Sequence, residues 1–161
     1  MKRKIVTVCC LLLLAAACSK PAAQEEPGIL GVRLGMSREE AHARLQKIGK
    51  LEKQERKQQE VWRLEGDPSY THLMVAYNKG YTAVRYVTAV ANEQGRRVPY
   101  ADVVNLNGAR LDSTQATRTY TQEAPASDGR PGFITRAIGA DPTYLQYYSI
   151  ERTEPDAAAR H

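Results

Sequence analysis

The residues able to do chemistry in this chain are few and scattered. Three cysteines, Cys9, Cys10 and Cys18, crowd the first eighteen positions, and none follows. His42, His72 and His161 are the only histidines, and no pair has a metal-ligand spacing. They read as plain surface histidines, His42 on the exposed side of a helix, so no metal and no cofactor is expected. Ser37, Ser69, Ser113, Ser127 and Ser149 lie in no Gly-x-Ser-x-Gly turn. Asp102 and Asp112 have the chemistry for paired acid–base work, but chance proximity is expected at this density of carboxylates. Gly28, Gly31 and Gly35 lack the strand-loop-helix spacing of a dinucleotide site. With no nucleophile, base and orienting group in named roles, no catalytic residue is assigned, and the chain is expected not to be an enzyme.

Cys18 stands apart because of what precedes it. Lys2, Arg3 and Lys4 make a basic start, and Ile5 to Ala17 follow as a run of apolar residues, two cysteines and one threonine. That run falls short of the roughly 20 apolar residues a membrane-spanning helix needs. A basic start, a short apolar centre and small residues at the end make an export signal, here residues 1–17. Ala15-Ala16-Ala17-Cys18 resembles the lipobox of bacterial lipoprotein signals, with Ala15 where leucine is commonest. The resemblance implies cleavage before Cys18, a diacylglyceryl group on its thiol and a further acyl chain, such as palmitate, on its amine. An ordinary secretory signal with an incidental cysteine satisfies the same small-residue rule. One acyl chain holds a protein only marginally, at about 0.8 kcal/mol per buried CH₂, whereas two or three anchor it stably. The membrane, through lipid on Cys18, is thus an expected partner. Ser19 follows where an aspartate would resemble the inner-membrane retention signal. The expected location is the cell envelope, on the outer membrane facing the periplasm if the host has two membranes.

Cleavage would change the chemistry of what remains. The exported compartment favours disulfides, but Cys18 would be the only cysteine left and lipid would occupy its thiol. Losing Lys2, Arg3 and Lys4 takes the formal charge from +5 to +2. The basic balance is then largely a targeting feature, and no nucleic-acid partner is expected, since that would want a clustered basic face.

The elements behind these residues read as follows. Residues 18–28 are a flexible tether rich in Ala, Pro, Gln and Glu, residues 29–152 a single globular domain, and residues 153–161 a frayed tail. No internal repeat is legible. Ser37 and Glu40 make a capping box for a helix over Arg38 to Ile48, with Ala41, Leu45 and Ile48 on one face and Gly49 as a left-handed stop. Leu51 to Glu60 reads as a charged edge strand or a continuing helix. Val61–Leu64, Tyr70–Tyr77, Tyr81–Val90, Ala116–Glu123, Phe133–Ile138 and Tyr144–Glu151 read as strands. Asn78-Lys79-Gly80 is a tight hairpin connection with positive φ expected at the glycine. Val84, Tyr86 and Val90 are expected to share a face. Pro99 to Leu106 suits a short helix. This pattern predicts an α+β fold: one antiparallel sheet with one or two short helices packed on one face.

Leu34-Gly35-Met36-Ser37, with Glu40-Ala41 and the later Val75-Ala76-Tyr77-Asn78-Lys79-Gly80, resembles small bacterial envelope lipoproteins. Among these is the small lipoprotein subunit of the outer-membrane barrel-assembly machinery, whose plan the β-lactamase-inhibitor-protein fold shares. The resemblance implies a helix or two on a small antiparallel sheet in the same compartment, and no functional residue. Nine tyrosines against one Phe and one Trp are the compositional oddity. Tyrosine suits half-buried strands and also binding faces. A non-enzymatic protein-binding or scaffolding module with an envelope protein partner is the leading expectation. A carrier or sensor of a small apolar or cell-wall ligand is the second, and an envelope hydrolase the third.

Overall fold

The computed structural model describes residues 26–55, 58–127 and 130–153. The signal at 1–17, Cys18 and Ser19, and the tail beyond Thr153 lie outside these, as do His161 and most of the tether. The described residues open on a two-stranded ribbon, β1 (Gly28–Ile29) and β2 (Val32–Arg33). Leu30 (φ 51°) and Gly31 (φ 80°) form its turn, as a primed turn requires. The ribbon buries Ile29 and Val32, and Leu34 just after them, in the main core.

Helix α1 (Arg38–Leu45) starts where the capping box places it. Ser37 Oγ accepts from the Glu40 amide at 3.2 Å, and Glu40 Oε2 accepts from the Ser37 amide at 3.1 Å. Ala41 and Leu45 are fully buried. The helix ends earlier than expected, because Lys47 and Ile48 donate to Arg44 and Leu45 and tighten the last turn. Gly49 is not a left-handed stop. It opens β3 (Gly49–Glu55), where an added Cβ would meet the Arg63 carbonyl of the next strand.

The remaining strands are β4 (Gln59–Leu64), β5 (Tyr70–Tyr77), β6 (Val84–Ala91), β7 (Arg110–Ser113), β8 (Arg118–Ala124), β9 (Phe133–Gly139) and β10 (Tyr147–Arg152). They form one eight-stranded antiparallel sheet in the order β3-β4-β5-β6-β10-β9-β8-β7. Among the described residues the molecule is therefore largely β, with one short helix and a 3₁₀ turn (Tyr100–Asp102), where an α+β fold was expected. The charged segment read as one edge strand or a helix over Leu51 to Glu60 is instead divided: Leu51 to Glu55 belong to the edge strand β3, residues 56 and 57 lie outside the described residues, and Gln59 and Glu60 open the interior strand β4.

The sheet is two four-stranded meanders joined through their last strands. Thr88 of β6 faces Ser149 of β10, and on either side Val87 faces Ile150 and Ala89 faces Tyr148. Each meander follows a helical element, α1 in the first half and the 3₁₀ turn in the second. Carrying the β6–β10 register outward, Val75 corresponds to Ala137 and Glu60 to Tyr120. The repeat lies in the plan and not in the residue types, which hides it from a reading of the sequence.

Three local expectations are corrected. In the β5–β6 connection the left-handed residue is Tyr81 (φ 56°), not Gly80, and Asn78 Oδ1 shapes the turn by accepting from the Thr82 amide. A bulge opposite Tyr77 turns Val84 into the core, while Tyr86 takes the other face; the two do not share a side. The Pro99–Leu106 helix shrinks to one 3₁₀ turn with Pro99 at its cap. Strand β7, short and fully exposed, has no counterpart in the sequence reading.

Candidate functional site

Alternation along β4 turns Glu60, Trp62 and Leu64 toward α1, and all three are buried. Glu60 is 0% exposed, although it sits in a segment that reads as a solvated charge run. A buried carboxylate is costly unless donors surround it, and here they come from four elements. His42 of α1 places Nε2 2.9 Å from Oε1 and 2.8 Å from Oε2. Trp62 Nε1 donates to Oε2 at 3.1 Å, Tyr77 Oη to Oε2 at 3.0 Å and Tyr81 Oη to Oε1 at 2.7 Å. Arg38 Nη2 lies 3.5 Å from Oε1.

The aromatic groups brace one another around the carboxylate. His42 meets Trp62 edge-on at 5.4 Å, Tyr77 meets Tyr81 edge-on at 5.0 Å, and the Arg38 guanidinium lies 3.9 Å over the Tyr81 ring. Gln54 Nε2 also donates to the Tyr81 hydroxyl at 2.8 Å, which orients its proton toward Glu60. The cluster is held at a cost: Tyr81 sits in the left-handed region, and Arg38 Nε is buried without a partner.

The electrostatics follow from this enclosure. Burial pushes the Glu60 carboxyl up, but hydrogen bonds from Tyr81, His42 and Trp62, with the His42 charge, outweigh it and hold it below its ordinary 4.5. Burial, the Glu60 charge and the bond to Glu60 raise the Tyr77 hydroxyl, and the same causes raise Tyr81. The carboxylate therefore stays charged while the phenols keep their protons. Chemically this is a buried anion that fixes the orientation of one histidine ring. Among the described residues bonded to it there is no hydroxyl or thiol nucleophile beyond the two tyrosines that donate to the anion.

His42 is thus no plain surface histidine: its side chain is 27% exposed and its Nε2 faces inward. The sequence signal was available, since His42 lies one residue from Ala41 and four from Arg38, but its partner is eighteen residues away in a charged stretch. His72 pairs with Glu52 at 3.1 Å at the sheet margin. Ser37 is the cap, Asp112 pairs with Arg110, and Ser149 is buried in β10. Gly31 and Gly35 are turn residues with φ 80° and 77°. Among the described residues no group of three His, Cys, Asp or Glu is placed to hold a metal ion.

The second feature is the other side of the sheet. The ribbon, α1 and the 3₁₀ turn all pack on the Glu60 side, in two adjoining cores. The opposite side carries three transverse rows. Gln59, Ala76, Tyr86, Glu151 and Ile134 form one; Val61, Met74, Thr88, Ser149, Arg136 and Thr121 the middle one; Arg63, His72, Val90, Tyr147, Ile138 and Thr119 the third. At the centre Thr88 and Ser149 are buried, the Arg136–Glu151 ion pair (3.0 Å) lies beside them, Tyr86 and Ile134 stand on one flank and Val90, Tyr147 and Ile138 on the other. Tyr147 is 44% exposed. The tyrosines divide accordingly: Tyr77 and Tyr100 are buried, Tyr70, Tyr81, Tyr120 and Tyr148 pack against the cores, Tyr144 lies under Arg97, and only Tyr86 and Tyr147 stand on the bare side. Tyr144 precedes β10 and is not in a strand. Comparison of the chain with protein-family models, with curated proteins and with solved structures finds no match.

Proposed function

We propose that this chain is a lipid-tethered, non-enzymatic binding module of the cell envelope, which receives a protein partner on the bare side of its sheet. The observation that carries this reading is the one-sidedness of the fold: among the described residues every helical element packs on the Glu60 side, and the other side offers Tyr147, Tyr86, Val90, Ile134 and Ile138 beside the Arg136–Glu151 ion pair. A mixed face of large rings, aliphatic side chains and a paired charge suits a protein partner. The Glu60 cluster is read as structural, because its carboxylate is fully enclosed and its donors are spent on it.

The anchor at Cys18, the outer-membrane location and the likeness to the small barrel-assembly lipoprotein belong to the same proposal. Their support is the Ala15-Ala16-Ala17-Cys18 ending, Ser19, the capped helix and the hairpin after Tyr77.

The test is site-specific photocrosslinking in intact cells. A benzophenone amino acid at Tyr147 should capture one discrete protein, and the same group at exposed Glu39 on α1 should not. Capture from position 39 alone, or from neither, overturns the assignment of the bare face.

A further inference from the structure

We propose that this protein associates with a second copy of itself by pairing β7 with β7 across a two-fold axis, extending the sheet through both molecules. This goes beyond the binding reading above and does not depend on it.

The two edges of the sheet are built differently. Strand β3 carries Lys50, Glu52 and Lys53 and a register shift between Leu51 and Lys53, the devices that blunt an edge against pairing. Strand β7 has an unbroken register with β8, from Arg110–Thr121 to Ser113–Arg118, so its outer backbone edge is straight. All four of its residues are exposed, and Leu111 is an exposed large apolar residue at 45%.

The sequence of β7 is complementary to itself in one register. Residues facing each other in an antiparallel pair point to the same side of the sheet. Centring the axis on Leu111 sets Leu111 against its own copy on the helix-bearing side. It then sets Arg110 of each molecule against Asp112 of the other on the bare side. Within one chain Arg110 Nε and Asp112 Oδ2 already lie 3.2 Å apart, with side chains 70% and 61% exposed. A second copy turns this pair into a four-charge cluster of alternating sign. Opposite charges directly across an antiparallel pair stabilise it and like charges oppose it. A four-residue strand buries far less than the roughly 1,600 Å² of a standard interface, so the dimer is reversible and concentration-dependent.

The experiment is sedimentation of the full chain in density-matched detergent over a range of concentrations, with charge variants at exposed positions. The parent should move from monomer to dimer as concentration rises. Arg110→Asp or Asp112→Arg alone sets like charges opposite one another twice and should weaken the dimer by about tenfold or more. The double exchange, Arg110→Asp with Asp112→Arg, should restore it, while thermal melting shows all three folded as the parent is. Leu111→Cys should form an intermolecular disulfide on mild oxidation, since facing residues in an antiparallel pair lie about 4.5–5.5 Å apart. A parent that is monomeric at every concentration, single variants that associate as the parent does, or a double exchange that stays as weak as the singles overturns the proposal. A dimer in which Leu111→Cys does not crosslink overturns the register.

Discussion

Tyr81 donates to Glu60 at 2.7 Å from a left-handed backbone, so a residue in an unfavourable conformation closes the cage around a fully buried carboxylate. The bond ties the β5–β6 turn to β4 across twenty-one residues, and His42 brings α1 to the same atoms.

Removing the charge at the centre should therefore loosen several elements together. Glu60→Gln replaces an acceptor-only group by one that must also donate, into a shell of groups that all donate. The expected loss is about 3–5 kcal/mol, the range for breaking a buried charge pair from one side. His42→Gln, which leaves the three aromatic donors, should cost about 1.5–3 kcal/mol. Urea unfolding checks both. A Glu60→Gln protein as stable as the parent would show that the cage does not hold the fold.

The same cluster sets a pH profile. Glu60 titrates below its ordinary 4.5 in the folded chain. Its stabilisation is complete above that ordinary value and is lost as pH falls through the depressed folded value. Tyr77 and Tyr81 titrate above their ordinary 10.0. Their contribution is complete below 10.0 and is lost as pH climbs from there toward the raised folded values. Melting temperature should thus fall on both limbs. Glu60→Gln should flatten the acid limb, and Tyr77→Phe the alkaline one. An acid limb unchanged in Glu60→Gln would assign it to other carboxylates.

Docking of α1 is a separate question from its initiation. Leu45 is 0% exposed, so Leu45→Asp buries an unpaired charge and should cost several kcal/mol, enough to melt the domain. Ser37→Ala removes a cap at the helix start and should cost about 1 kcal/mol. Melting curves of the two variants should separate widely; equal small shifts would mean that α1 contributes little to the core.

The proposed anchor has its own readout. Mass spectrometry of the protein from its host should find Cys18 as the first residue, carrying diacylglycerol and a further acyl chain. Cys18→Ala should lose that mass and keep the melting temperature of the parent, because Cys18 is part of neither core cluster. A mature chain starting elsewhere, or an unmodified Cys18, would leave an exported protein with no lipid.

Elements with strong local signals were legible in the sequence, and those set by distant partners were not. The capping box at Ser37 and Glu40 announces α1, and the strand read over Tyr70–Tyr77 is β5 with the same bounds. Glu60 was hidden because local composition records only that charges are dense there; its burial depends on Tyr77, Tyr81 and His42 converging from other elements. Strand β7 was hidden for the opposite reason, since Arg110–Ser113 has no buried face and so no periodicity to read. Val84 was misassigned because a bulge shifts the alternation by one residue, which no pattern within the strand reveals.

The seam between β6 and β10 bears on how the chain reaches this structure. Thr88 and Ser149 pair across sixty-one residues, and β10 is the last strand among the described residues. Until β10 inserts, both meanders present an open inner edge: β6 with Val87 and Ala89, and β9 with Thr135 and Ala137. Loop closure over that span must precede the contacts that reward it, which slows folding in proteins dominated by non-local pairing. A chain emerging amino-terminus first would therefore carry a complete but unsealed first meander for as long as its final strand is missing. Once β10 is made but not yet inserted, two such chains can each accept the other's strand at these open edges, which is a route to strand-swapped dimers.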